Sequence, residues 1–131
     1  MKTPPLTHPL HEKHESLWLL VVSPTIWAAH LLLSYITAAI WCAKFVPRDG
    51  SLAPVRWAIA GYTVAALIGI ALNGRSGLRR HRRGTESPPH DYDTPGDRHG
   101  FLGYATVLLS ALSAVAVVFA ALVIVYFEDC R

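Results

Sequence analysis

Three apolar runs, Leu17–Val46, Ala53–Asn73 and Phe101–Phe127, fix what this chain can become, because each carries almost no charge along its length. A helix on the surface of a soluble protein keeps polar residues along one face throughout. Runs of this kind suit a bilayer, whose hydrocarbon core of about 30 Å takes roughly 20 apolar residues in helical form. Backbone groups in lipid must satisfy one another, so three separate runs imply three helices. The expected fold is an all-α, multi-pass membrane protein with three transmembrane helices. Charged residues make up 16% of the 131-residue chain, well under the usual quarter, and they lie mostly between the runs. The runs leave a polar tail over 1–16, an outer loop over 47–52, a basic then acidic loop over 74–100 and a short C-terminus over 128–131. Arg56 lies near the start of the second run, where its stem can snorkel to the interface. The first run follows a polar tail and is too long for a secretory signal, so no cleavage is expected. Trp41 precedes Cys42 where a lipoprotein site would need a small residue, so no lipid anchor is expected either.

Orientation follows from the basic residues. Lys2 and Lys13 in the tail and Arg75, Arg79, Arg80, Arg82, Arg83 and Arg98 in the long loop share one side, eight of the twelve Lys and Arg residues. Lys44, Arg48, Arg56 and Arg131 lie on the other. Basic residues are retained in the cytoplasm, which predicts the N-terminus inside and the C-terminus outside. The long loop, Gly74 to Gly100, contains Pro88-Pro89 and Pro95-Gly96 and is expected to be mostly irregular. Its Arg75–Arg83 cluster directly follows a membrane helix and is placed to touch anionic headgroups, while Asp91, Asp93 and Asp97 follow with opposite sign. Nucleic-acid binding is not expected, since it would need a folded module or interleaved aromatics and Tyr92 stands alone.

Within the first run, Ser23, Trp27, His30, Ser34, Thr37, Trp41 and Lys44 recur at alternating steps of four and three. That spacing places them on one stripe, the seam of a coiled-coil-like crossing, and leaves Leu31, Leu32, Leu33, Ile36 and Ile40 toward lipid. Pro24 starts the stripe and removes one backbone hydrogen bond. The second run shows Gly61, Ala65, Gly69 and Asn73 every four residues; the third shows Gly103, Thr106, Ser110 and Ser113. Small residues at such spacing let helix backbones approach closely, so one compact bundle is expected.

His30 is the unusual member of the seam. Trp18 and Trp41 bracket it, roughly 35 Å apart along a helix, which puts the imidazole near the bilayer midplane. An ionisable ring there is costly facing lipid and marks a functional site or a specific hydrogen bond. Ser34 or a hydroxyl of the third helix would satisfy a neutral imidazole. The functional readings are a haem b ligand, a member of a proton relay or a contact to a larger membrane partner. No second histidine lies in the apolar runs, and His99 lies at the cytoplasmic mouth, so a bis-histidine haem would need a second copy or another subunit.

Cys42 ends the first span and Cys130 follows the third, on the same, outer side; if that face is an oxidising periplasm a disulfide is expected, with free thiols and a thiolate metal site as the alternatives. No metal site is expected from them, because two thiols without a histidine on that side make a poor ligand set. His8, His11 and His14 form a short His-rich tract, interrupted by Pro9, of the kind that binds copper, zinc or nickel loosely. Conventional catalysis is not expected: no nucleophile–base pair, phosphate loop or intramembrane carboxylate pair is present.

The stretch Ser23-Pro24-Thr25-Ile26-Trp27-Ala28-Ala29-His30, continuing to Tyr35 and Trp41-Cys42, resembles small uncharacterised three-helix bacterial membrane proteins associated with cytochrome c oxidase. The resemblance covers the first helix, about a quarter of the chain, and implies a respiratory context. The expected function is then a non-catalytic accessory or assembly subunit of a haem–copper oxidase, binding its partner through Trp27, His30, Ser34, Thr37 and Trp41. A haem b or quinol-interacting membrane anchor built on His30 is the alternative.

Overall fold

A computed structural model describes residues 9–45, 47, 50–84, 95–126 and 130, with side chains described at 17–45, 47, 50–83, 100–126 and 130. The fold is three helices: α1 (Pro9–Lys44), α2 (Ala53–Gly84) and α3 (Pro95–Tyr126). Each contains a stretch long and apolar enough to cross a membrane, namely Leu17–Lys44, Ala53–Arg83 and Gly100–Tyr126.

At one end of the bundle the helices outrun the apolar sequence. α1 begins inside the polar tail; α2 continues through the arginine cluster to Gly84, and α3 starts at Pro95, so residues 74–84 and 95–100 are helical rather than irregular. Apolar content marks how much of a helix can sit in lipid, and local propensity decides where it stops. The helix passes through Gly74 and Gly77, which pack against Ser110, Gly103 and Thr106 of α3, and the leucine and arginines that follow are good helix formers that carry it to Gly84. Proline opens both α1 and α3, at the first helical position where its missing N–H costs nothing. At 32 residues, α2 is about 48 Å long, well over the roughly 30 Å thickness of a hydrocarbon core. At the other end, Gly50 N–H donates to Pro47 O (2.8 Å) and Ser51 Oγ accepts from Ala53 N–H (3.2 Å), closing a turn and capping α2.

The interior is half polar. Among the described residues, Ser23, His30, Ser34, Asn73, Thr106, Ser110 and Ser113 are buried alongside Leu52, Val55, Ile59, Ala66, Ile70 and Val117. Since lipid is as apolar as leucine, helices in a membrane gain little from burying more leucine; hydrogen bonds and close backbone approach hold them instead. The α2–α3 pair is the most extensively packed, and Gly77 packs tightly against Gly103. A Cβ on Gly103 would lie 2.7 Å from His81 N and 2.8 Å from Gly77 O. Gly103, Thr106, Ser110 and Ser113 are all buried, as their spacing indicates. The α2 row is different: Gly61 and Ala65 are exposed, and the packed positions are Val55, Ile59, Ala66, Ile70, Asn73 and Gly77. A row taken every four residues precesses about 40° per step on a 3.6-residue helix, so Gly61 has rotated about 120° from Asn73.

Candidate functional site

On α1, Ser23, His30 and Ser34 are buried, Trp27, Thr37 and Trp41 half-buried, and Lys44 exposed; Leu31, Leu32, Leu33, Ile36 and Ile40 face outward. The stripe therefore packs inside the chain's own bundle, with Ser23 bonded to Ser110 of α3 and His30 to Thr63 of α2.

His30 is 2% exposed, and its Nε2 lies 3.0 Å from Thr63 Oγ1. The Thr63 hydroxyl has one proton, which it donates to Ile59 O at 2.8 Å. Thr63 must then accept from His30, which fixes the proton on Nε2 and leaves Nδ1 of a neutral ring as a bare lone pair. Nδ1 and Ser34 Oγ, one turn apart on the stripe, are buried with no hydrogen-bond partner among the described residues. The partner of His30 is thus on α2, not Ser34 or an α3 hydroxyl. Thr63 has a weak sequence signal: it lies four residues beyond Ile59 on the packed side of α2, but a threonine that back-bonds within its own helix looks locally satisfied.

These residues do not fit haem b. A ligating imidazole needs an open porphyrin-sized face beside the iron-binding nitrogen, whereas this ring is buried within the bundle and its Nε2 is committed to Thr63 of α2. Among the described residues no group of three His, Cys, Asp or Glu side chains is gathered for a metal. His8 lies outside the described residues; the α1 backbone carries His11 and His14, whose side chains lie outside them too.

A second polar cluster joins all three helices. Asn73 uses both amide protons, donating to Leu19 O at 2.9 Å and to Ser23 Oγ at 2.8 Å, and Ser23 Oγ is hydrogen-bonded to Ser110 Oγ at 2.8 Å. Leu19 is one turn before Ser23, so one side chain of α2 grips two turns of α1. Replacing Asn73 by leucine is expected to remove both bonds and lower stability in micelles by about 1–2 kcal/mol, on the scale of interhelical bonds in membranes. Thermal unfolding followed by circular dichroism checks this; a variant as stable as the parent would show the cluster to be incidental.

At the opposite end, Cys42 and Cys130 are joined by a disulfide with Cα atoms 5.7 Å apart. Leu52, Val55 and Ile59 pack beneath it with Trp41, Tyr62 and Ile124. Arg56 donates to Val125 O at 3.3 Å, placing a cation on the C-terminal turn of α3. At the arginine-rich end, Arg75, Arg79, Arg82 and Arg83 are exposed and Arg80 is half-buried. The exposed four fall within an arc of about 100° on the side of α2 away from Gly77. His81 Nδ1 donates to Gly100 O at 3.1 Å, and its ring lies 5.8 Å from that of Tyr104, locking the start of α3 against α2. No protein-family model, no curated protein and no solved structure matches this chain.

Proposed function

We propose that this protein is a non-catalytic integral-membrane accessory or assembly subunit of a larger respiratory complex, with a haem–copper oxidase as the partner. The oxidase assignment stands on the first-helix resemblance. The observation that supports an accessory role is the division of labour in α1. Its polar stripe is occupied by α2 and α3, and its outer face is left with Leu31, Leu32, Leu33, Ile36 and Ile40 around a 73% exposed Tyr35. Tyr35 lies about 7–8 Å along the helix from His30, at a depth where a phenol finds no water and is best satisfied by a protein neighbour. In this reading the partner docks on the outer face of α1 rather than on its seam. His30 serves the interior that holds α1 in place.

The test is co-purification. Tagged protein extracted in mild detergent should retain oxidase subunits identified by mass spectrometry; Tyr35→Ala combined with Leu32→Ala should lose them, while Ile68→Ala on the outer face of α2 should not. Full recovery of oxidase with the α1 double variant would overturn the docking face, and absence of oxidase from the wild-type preparation would overturn the partner.

The proposed orientation is N-terminus in the cytoplasm and C-terminus in the periplasm of a bacterial inner membrane. It is supported by the eight basic residues at the tail-and-loop end and by the disulfide at the other. A C-terminal alkaline phosphatase fusion should be active and one placed after Arg83 inactive; the reverse pattern would invert the topology.

A further inference from the structure

Hydroxyls on these helices mostly turn back onto their own backbone: Thr25, Thr63, Ser76 and Thr106 each donate to the carbonyl four residues earlier. Ser23, Asn73 and Ser110 bond one another across helices instead. Ser34 does neither. Its Oγ is buried with no partner among the described residues, and His30 Nδ1, one turn earlier on α1, is in the same condition. Trp41 Nε1, two turns further along the stripe toward the disulfide, is another such atom. Three of these on one stripe of one helix point to hydration along that stripe rather than to unrelated defects.

The two deeper atoms are held at a fixed spacing. Residues four apart on a helix have Cβ atoms about 5–6 Å apart, and Cα–Cβ bonds lean toward the helix N-terminus, which inclines Ser34 toward the turn of His30. Nδ1 is the ring nitrogen nearer the backbone, and the 3.0 Å bond from Nε2 to Thr63 Oγ1 keeps the ring from turning it elsewhere. The two atoms do not bond each other directly. Two hydrogen bonds of about 2.8 Å in series span about 5.6 Å, a gap that one water fills. Nδ1 offers only a lone pair, whereas Ser34 Oγ offers a proton as well, so a bridging molecule has to donate at one end and accept at the other. Hydrocarbon can do neither. At 2% and 3% exposure, His30 and Ser34 leave no opening for a larger ligand.

We propose that one internal water bridges His30 Nδ1 and Ser34 Oγ, donating to the imidazole and accepting from the serine, with its second proton on a carbonyl lone pair of α1. The water holds the ring in the tautomer that Thr63 requires. It is a socket and not a wire: His30 donates to Thr63, Thr63 donates to Ile59 O, and a backbone carbonyl has no proton to pass on. The site lies wholly inside the bundle and stands independently of the oxidase reading.

Nuclear magnetic resonance of the full-length protein in lipid bilayers, with isotope-labelled histidine, tests it; the His30 signals are identified by their loss in His30→Leu. Magnetisation from water should reach the His30 ring at short mixing times, and Nδ1 should resonate as a hydrogen-bonded acceptor. Ser34→Val removes the hydroxyl and puts methyl groups in the water's place. Both signatures should then be lost while Nε2 keeps its proton, with formation of the Cys42–Cys130 bond reporting that the variant folds. A wild-type ring that receives no magnetisation from water, an Nδ1 that carries the proton, or water contact undiminished in folded Ser34→Val would overturn the site. The wild-type spectrum decides alone if the variant does not fold.

Discussion

Gly103→Ala is expected to cost about 2–3 kcal/mol, the upper part of the usual range for forcing a methyl into a packed site. The new carbon would lie 2.7 Å from His81 N and 2.8 Å from Gly77 O, and both obstacles are backbone. A side chain can rotate away; a helix backbone packed this tightly between α2 and α3 can yield only by moving the helix. That movement also strains the bond from His81 Nδ1 to Gly100 O, three residues earlier in α3. Gly61→Ala is the internal control, because a methyl there meets nothing within 4 Å. Thermal unfolding in micelles should separate the two: Gly103→Ala markedly destabilised or unfolded, Gly61→Ala at or slightly above wild type. Equal stability of the two variants would mean that the α2–α3 contact is looser than described.

Loss of the disulfide is the other large expected effect. The bond closes a loop across 88 positions of sequence, and removing bridges of that span costs about 2–4 kcal/mol on the general scale. The effect should fall on α1, which packs against its neighbours less extensively than α2 and α3 pack against each other. Cys42→Ser, Cys130→Ser and the double variant should share one lowered unfolding temperature, and reductant should bring the wild type to the same value while leaving the double variant unmoved. Alkylation of unreduced protein should label neither cysteine. Quantitative labelling of both, or a reductant-insensitive wild type, would refute the staple.

Most of the architecture is legible in the sequence because hydropathy reports directly on solvent. The three runs, the inward stripe of α1, the buried row of α3 and the proximity of Cys42 and Cys130 all follow from run length and helical periodicity. Helix ends are less legible, since the arginines after Asn73 signal departure from lipid and not the end of hydrogen bonding, so α2 continues to Gly84. The small-residue row on α2 misleads for a related reason. Glycine and alanine at every fourth position satisfy a motif, yet only the part of the row that does not precess out of the interface, Gly69 and Asn73, is packed or buried. Thr63 and Gly77 escape notice because their importance depends on what faces them from another helix: His30 in one case, Gly103 in the other. A single sequence shows which faces are polar and small, but pairing between faces is a property of the assembled bundle.

The covalent link between α1 and the segment after α3 also dates itself in the life of the chain. Residue 130 emerges from synthesis after all three helices, so Cys42 must wait for both later helices before it meets its partner. If all three helices cross a bilayer, one crossing precedes Cys42 and three precede Cys130, and a chain that failed to insert just one of α2 and α3 would strand the two thiols on opposite sides. If the three helices span a membrane, closure of this bond is therefore a chemical record that α2 and α3 were threaded as a pair and not singly, and the loss of two thiols reports it.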